Sequence, residues 1–362
     1  MIHFNNNPAN PASQPAENVG HPQDEHHLRD QQPNRTVDVQ LAWRNIFRFQ
    51  QTPTVTGRLI TENVRENQAW GHPLQEKNPQ HTRIYCVNIN GLTLDRDGGK
   101  FDEYCQILNE VQGDVGCIQE HNLDTTQHHI KSQLYATAQR RWQWFKMAVA
   151  STPIRFASSY KPGGTMMISA NSISSRMTDM SSDKWGRWTS QTFQGKQNIR
   201  VTMFSVYQVV DSRSAMQGPN TAASQQQALL LESNENGAID PRYAFCRDLK
   251  ASINQYQSQG HDILVTGDFN EVLGNIDQGG ITQLASECQL TGVMSALHPG
   301  IAHPATYMRG HKRLDYVLAS PRVLAAARRS GYEEFQHRIH SDHRAYFVDL
   351  VHKLYLVHHY RS

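Results

Sequence analysis

The feature that most restricts the fold is a pair of short apolar runs separated by one amphipathic helix. Arg83–Asn90 (RIYCVNIN) and Val115–Gln119 (VGCIQ) are too short for buried helices and read as buried strands. Between them Phe101, Tyr104, Cys105, Leu108 and Val111 recur at helical spacing, and Gln112-Gly113-Asp114 closes the helix. A strand–helix–strand crossover leaves its two strands parallel, with their C-terminal ends on one edge of a sheet. Asn88, Asn90 and Glu120 therefore converge there.

A second unit of the same kind follows. Ile199–Val210 reads as a strand, and Asp211–Asp240 reads as a Ser/Gln/Asn-rich loop without an apolar period. A helix carrying Phe245, Leu249, Ile253 and Tyr256 then leads to a strand over Ile263–Thr266 that ends in Gly267-Asp268. Gly164–Ala170, Leu314–Leu318 and Ala345–Leu350 supply further strands, so the fold class is α/β. The first 80 residues or so are rich in Asn, Gln, Pro and His, which predicts a largely disordered region over 1–80, a domain over 81–355 and a tail over 356–362. Within the N-terminal region Leu41–Phe49 alternates apolar and aromatic residues with arginines and reads as a segment that docks on the domain.

Composition excludes several classes. No stretch approaches the roughly 20 apolar residues of a bilayer span, and no basic start leads into an apolar run, so neither a membrane partner nor a secretory signal is expected. The 5 cysteines lack CxxC spacing, which argues against a thiolate zinc site or a disulfide framework and favours an intracellular setting. With 35 Lys+Arg against 33 Asp+Glu, the total charge announces no partner.

Four acids sit beside strand ends in separate parts of the chain: Glu120, Asp268, Asp315 and, just ahead of a strand, Asp342. Ligands of open α/β sheets bind outside strand C-termini, and carboxylates gathered there repel one another unless a cation holds them. Hard oxygen donors suit Mg²⁺, with Mn²⁺ as a substitute, rather than zinc. Taken singly, each acid is more often a loop cap or a surface charge. Their joint placement is what points to chemistry.

The ordered strings Asn88-Ile89-Asn90-Gly91-Leu92, Cys117-Ile118-Gln119-Glu120, Gly267-Asp268-Phe269-Asn270, Arg313-Leu314-Asp315-Tyr316 and Ser341-Asp342-His343 resemble the endonuclease/exonuclease/phosphatase superfamily. NINGL and CIQE look most like the endonuclease domains of non-LTR retrotransposons. The resemblance covers about residues 82 to 352. It implies a four-layered α/β sandwich of two mixed β-sheets flanked by helices, with a divalent-metal phosphodiesterase site at one end. It also implies roles. Glu120 would be the main metal ligand, with Asn88, Asn90 and Asp342 assisting. Asp268 would deprotonate the attacking water, and Asn270 would steer that water or a phosphate oxygen. His343 would donate to a non-bridging oxygen, oriented by Asp315, and Tyr207 matches the family tyrosine that contacts the phosphate region. Two departures stand out: Gln208-Val209-Val210 replaces the usual small-Pro continuation, and Asn90 stands where many members have Asp, which weakens the basis for a second metal ion.

The expectation is a Mg²⁺-dependent DNA endonuclease that nicks one strand to leave 3′-hydroxyl and 5′-phosphate, located in the nucleus if it serves a retroelement. The chain ends soon after Asp342-His343 without a polymerase segment, which suggests a detached domain, a fragment of an element or a host gene derived from one. Competing readings are an abasic-site repair nuclease, a lipid or inositol phosphatase of the same superfamily, and a catalytically silent DNA-binding protein. Arg309, Lys312 and Arg313 form a basic run suited to a phosphate backbone. The triplet spacing of His337, His340 and His343 is not read as a metal helix, and Trp185 and Trp188 are read as packing residues rather than base-stacking ones.

Overall fold

The computed structural model describes residues 67–95, 98–153, 161–211, 218, 220–233, 240–274 and 280–351. The Leu41–Phe49 segment and the tail lie outside the described residues. One sheet has seven strands, β1 (Trp70–Gly71), β2 (His81–Asn88), β3 (Val115–Gln119), β4 (Phe145–Ala150), β5 (Thr165–Ala170), β12 (Ala327–Tyr332) and β13 (Tyr346–Val351), in the order β1-β12-β13-β2-β3-β5-β4. The other has six, β6 (Met177–Ser182), β7 (Trp188–Gln194), β8 (Arg200–Tyr207), β9 (His261–Asp268), β10 (Thr291–Gly292) and β11 (Asp315–Ala319), in the order β10-β11-β9-β8-β7-β6. Each sheet carries one parallel pair, β2 with β3 and β8 with β9, and every other pairing is antiparallel. These are the two crossover units of the sequence.

The parallel strands are apolar on both faces because both faces are covered. Ile84, Cys86, Val115 and Cys117 point into the space between the sheets, where they meet Met203, Leu264 and Val317. Tyr85, Val87 and Ile118 point outward and pack under α1 (Lys100–Glu110) and α2 (His128–Gln139) through Phe101, Tyr104, Leu108 and Leu134. Gly116 permits that close approach, since a Cβ there would lie 2.6 Å from the Tyr104 hydroxyl. On the far side, Phe204, Ile263 and Val265 are covered by Phe245, Leu249 and Ile253 of α4 (Pro241–Ser258) and by Leu284 of α5 (Gly280–Glu287). The result is the expected sandwich of four layers.

Two regions differ from the sequence reading. Ala222–Glu232, inside the stretch read as a loop, is a helix (α3), because Ala, Gln and Leu are strong helix formers and the Thr221 hydroxyl caps it by accepting from Ser224 N at 3.1 Å. Composition groups residues 67–80 with the N-terminal region, yet they lie along the domain. Trp70-Gly71 pairs with β12, and the Trp70 ring packs on His298, His303 and Tyr332. Arg83 and Asp349 form a buried bidentate pair at 2.7 and 2.8 Å, and Arg83 also donates to the Gln75 carbonyl. Among the described residues two further α-helices, α6 (Val293–Leu297) and α7 (Pro321–Ala326), lie in the connections around β10, β11 and β12.

Candidate active site

The C-terminal ends of the two parallel pairs face each other across the sandwich, which places Asn88 and Glu120 on one side and Tyr207 and Asp268 on the other. Register does this: Asn88 pairs with Gln119, Tyr207 with Asp268, and Asp268 with Asp315. Immediately past the strand ends the chain turns through the left-handed region at Asn90 (φ 48), Glu120 (φ 51) and Asn270 (φ 46). Asparagine adopts this conformation readily, whereas for a glutamate it costs about 1–2 kcal/mol. The turn at Glu120 is held by Ile89 N on Gln119 O (3.0 Å) and Gly91 N on Glu120 O (2.7 Å), which extend the β2–β3 pairing past its end.

Glu120 reaches across the gap between the sheets. Its Oε1 accepts from the Tyr207 hydroxyl at 2.6 Å and its Oε2 from Asn88 Nδ2 at 2.7 Å. The same Asn88 amide donates to Asp268 Oδ2 at 2.9 Å, so one fully buried asparagine bridges two carboxylates. Asp268 is also fully buried. Its Oδ1 accepts from Asn270 N (2.9 Å) and its Oδ2 from Asn270 Nδ2 (3.1 Å), and that Asn270 amide also donates to the Gln208 carbonyl at 2.8 Å.

His343 completes the set. Its Nδ1 lies 3.0 Å from Asp315 Oδ2, and its Nε2 lies 3.8 Å from Asp268 Oδ2. Thr306 Oγ1 accepts from the Asp315 backbone N–H at 3.1 Å, and Ser341 Oγ ties the strands together by donating to Asn88 O at 2.5 Å and accepting from His343 N at 3.1 Å. Ligand atoms of Glu120, Asp268 and His343 all lie within 4.8 Å of one another.

The electrostatics follow from burial and crowding. Burial pushes the Asp268 carboxyl up to about 7, with Asp315 and Glu120 adding to the rise and His343 opposing it. Burial opposes charge on His343, but Asp315 and then Asp268 outweigh it and raise the imidazole to about 10. His343 is therefore an imidazolium at neutral pH, with Nδ1–H donating to Asp315 and Nε2–H facing Asp268. Three carboxyl groups, with Asp268 about half protonated near neutral pH, thus face one cationic side chain. Their hard oxygens are a donor set that fits a divalent ion such as Mg²⁺ or Mn²⁺, and a charged imidazole is not a metal ligand.

Not every residue named from the sequence joins this cluster. Asn90 is exposed, and its backbone N–H donates to Asn88 Oδ1 at 3.0 Å. Asp342 is half-buried between Ser341 and His343 and favours the charge on Lys100, whose ammonium donates to the Ile89 carbonyl. Arg309 and Lys312 are exposed on the loop before β11. Arg313 is a correction: it is buried, donates from Nε to the Tyr332 hydroxyl at 2.9 Å and stacks 4.4 Å over the Tyr316 ring, so it is spent inside the fold and presents no charge to a ligand. His337 and His340 are exposed and outside the cluster, and Trp185 and Trp188 are buried against Arg187. Sequence reasoning missed Gln208, Arg242 and Glu271, which brace the loop of Asn270. Glu271 adjoins a recognised motif, but only its contact with a distant helix gives it meaning.

The profile of the Endonuclease/Exonuclease/phosphatase family matches residues 86–343, a span that runs from β2 to His343. The chain belongs to this family. Its members are hydrolases acting on phosphodiester bonds, and the strand-end cluster lies where the matched span brings its two ends together. Among solved structures, the AP endonuclease LMAP from Leishmania major is similar with a TM-score of 0.55 and 12% identity, over 82% of this chain and 97% of that one. The Xenopus laevis APE2 catalytic domain is similar with a TM-score of 0.50 and 12% identity, over 75% of this chain and 92% of that one. Both are likenesses of fold. No curated protein matches in sequence.

Proposed function

We propose that this chain is a Mg²⁺-dependent DNA endonuclease that nicks one strand and leaves 3′-hydroxyl and 5′-phosphate ends, of the non-LTR retrotransposon type. The observation that carries the reading is the meeting of Glu120, Asp268 and His343 within 4.8 Å, with Asn88 bridging the two carboxylates. Family membership supports the hydrolysis of phosphate esters, and the NINGL and CIQE strings support the retrotransposon type.

Glu120 would hold the ion, with Asn90 and Asp342 flanking it; Asn88, expected as an assisting ligand, instead turns its amide N–H groups to Glu120 and Asp268 and would position those carboxylates. When bound, the ion supplies positive charge against the phosphate oxygens. Asp268 takes the proton of a water positioned over it as the water oxygen bonds to phosphorus and the P–O3′ bond breaks, the departing O3′ taking up a proton from solvent to become the 3′-hydroxyl. A carboxylate held near 7 is well matched to that transfer at neutral pH. Asn270 keeps both Asp268 oxygens aimed through its backbone and side-chain N–H groups. His343 presents Nε2–H to a non-bridging oxygen as charge builds there, while Asp315 fixes the ring and keeps it charged. Tyr207 holds Glu120 in place through its hydroxyl. Arg309 and Lys312 are free to meet a phosphate backbone, which offers DNA as the partner.

The test incubates purified protein with supercoiled plasmid, an abasic oligonucleotide and an inositol polyphosphate, each with Mg²⁺ and with EDTA. The proposal expects nicked circles in Mg²⁺ alone, with ends that ligase reseals without treatment. Cleavage confined to abasic sites would point to repair, and hydrolysis of the inositol phosphate alone would overturn the DNA assignment.

A further inference from the structure

Gln208, directly after Tyr207, is fully buried and uses every polar group it has. Its backbone N–H donates to Asp268 O (2.9 Å) and its carbonyl accepts from Asn270 Nδ2 (2.8 Å). Its side-chain Nε2 donates to Glu271 Oε2 at 3.0 Å, and its Oε1 accepts from the Cys246 thiol at 3.6 Å. Glu271 in turn accepts from Arg242 Nη2 at 2.8 Å and, through Oε1, from Ile281 N at 3.1 Å. Arg242 closes the circuit by donating from Nη1 to Asn270 O at 3.0 Å and to Val209 O at 3.4 Å. Gly280 has φ 64 and leaves room for the Glu271 carboxylate, since a Cβ there would fall 1.9 Å from Oε1. Two loops, one behind Tyr207 and one behind Asp268, are thus joined to each other and to the first turns of α4 and α5.

The geometry points to Gln208, Glu271 and Arg242 as a positioning clamp that sets the spacing between the Tyr207–Glu120 pair and the Asp268–Asn270 pair. None of the three touches the reacting atoms. They act through Asn270, whose amide can brace Asp268 only while Gln208 O and Arg242 hold the two ends of that residue. The inference rests on the role of Asp268 and Asn270 proposed above. Misplacement of a reacting group by about 1 Å costs about 10²-fold in rate, which is the size of effect a loosened clamp should produce.

The experiment compares wild type, Arg242→Met, Arg242→Lys, Gln208→Met and the Arg242→Met/Gln208→Met double variant. It reads plasmid nicking in Mg²⁺ and backbone hydrogen exchange without substrate. The clamp expects kcat lowered by about 10²-fold with KM within about threefold in each Met variant, partial recovery with Lys, and a double variant no slower than the worse single one. It also expects faster exchange confined to segments 207–211 and 268–272. Wild-type kcat in Arg242→Met, losses that multiply in the double variant, or faster exchange over the whole domain would each overturn it. If wild type proves inert on DNA, the functional reading fails, and unchanged exchange in segments 207–211 and 268–272 would then overturn the clamp by itself.

Discussion

The two halves of the site hold their carboxylates by opposite means. Glu120 is held by neutral donors, the Tyr207 hydroxyl and the Asn88 amide. Asp268 and Asp315 are buried around a cationic imidazole and answer its charge directly. Under the proposed function, the first half would attract a cation and the second would move a proton. The difference teaches that a single cluster of acids can serve two purposes when only one part is built around a cationic side chain.

The largest effect should come from breaking the half built around His343. Asp268→Asn and His343→Ala should each lower the nicking rate by about 10³-fold. His343→Ala should also lower stability by about 3 kcal/mol, because it leaves the Asp315 carboxylate buried without its partner ion, as read in a chemical denaturation midpoint. Retention of a tenth of the activity in either variant would remove the distinction between the halves.

The Glu120 half should respond to metal instead. Mg²⁺ or Mn²⁺ at about 100 times its Kd should stabilise the wild type by about 2.7 kcal/mol, seen as a rise in Tm that EDTA reverses. Glu120→Gln should abolish that rise while leaving the metal-free Tm close to wild type. An equal metal response in both proteins would place the ion elsewhere.

A pH titration sharpens the contrast. His121, directly behind Glu120, is buried with Nδ1 accepting from Leu123 N and Nε2 against Ala150 O, and burial lowers it to about 4 from 6.5. Between these values the unfolded chain binds a proton that the folded chain refuses, so stability is lost as pH falls from 6.5 towards 4, by about 3 kcal/mol from this group. The slope of Tm over that window should be shallower in His121→Gln. The smallest effect belongs to Tyr207→Phe, which removes one hydrogen bond to Glu120: about 1.5 kcal/mol, or roughly tenfold, in kcat/KM.

What the sequence made legible was the part set by local pattern. Apolar runs such as Arg83–Asn90 mark strands buried on both faces, and Asp268 or Glu120 at their ends is visible because strand termini are punctuated by Gly and Asn. β6 escaped because Met177–Ser182 is a polar strand exposed at a sheet edge, which leaves no apolar alternation to read. α3 escaped because its Ser and Gln residues resemble a polar loop. Arg313 was misread because adjacency in sequence to Asp315 says nothing of a guanidinium folded onto Tyr316. Gln208 and Arg242, 34 positions apart by their numbering, acquire meaning only once α4 lies against both loops.

Because Asn88, Tyr207, Asp268 and Asp315 lie within hydrogen-bonded sheet pairings, their spacing is inherited from the ladder, whereas Glu120, Asn270 and His343 follow strand ends or precede a strand and depend on the turns that carry them. Connections beyond those turns and beyond the Gln208–Glu271–Arg242 brace can therefore lengthen or shorten without moving the reacting groups. A change of substrate would then be a matter of rewriting the rim.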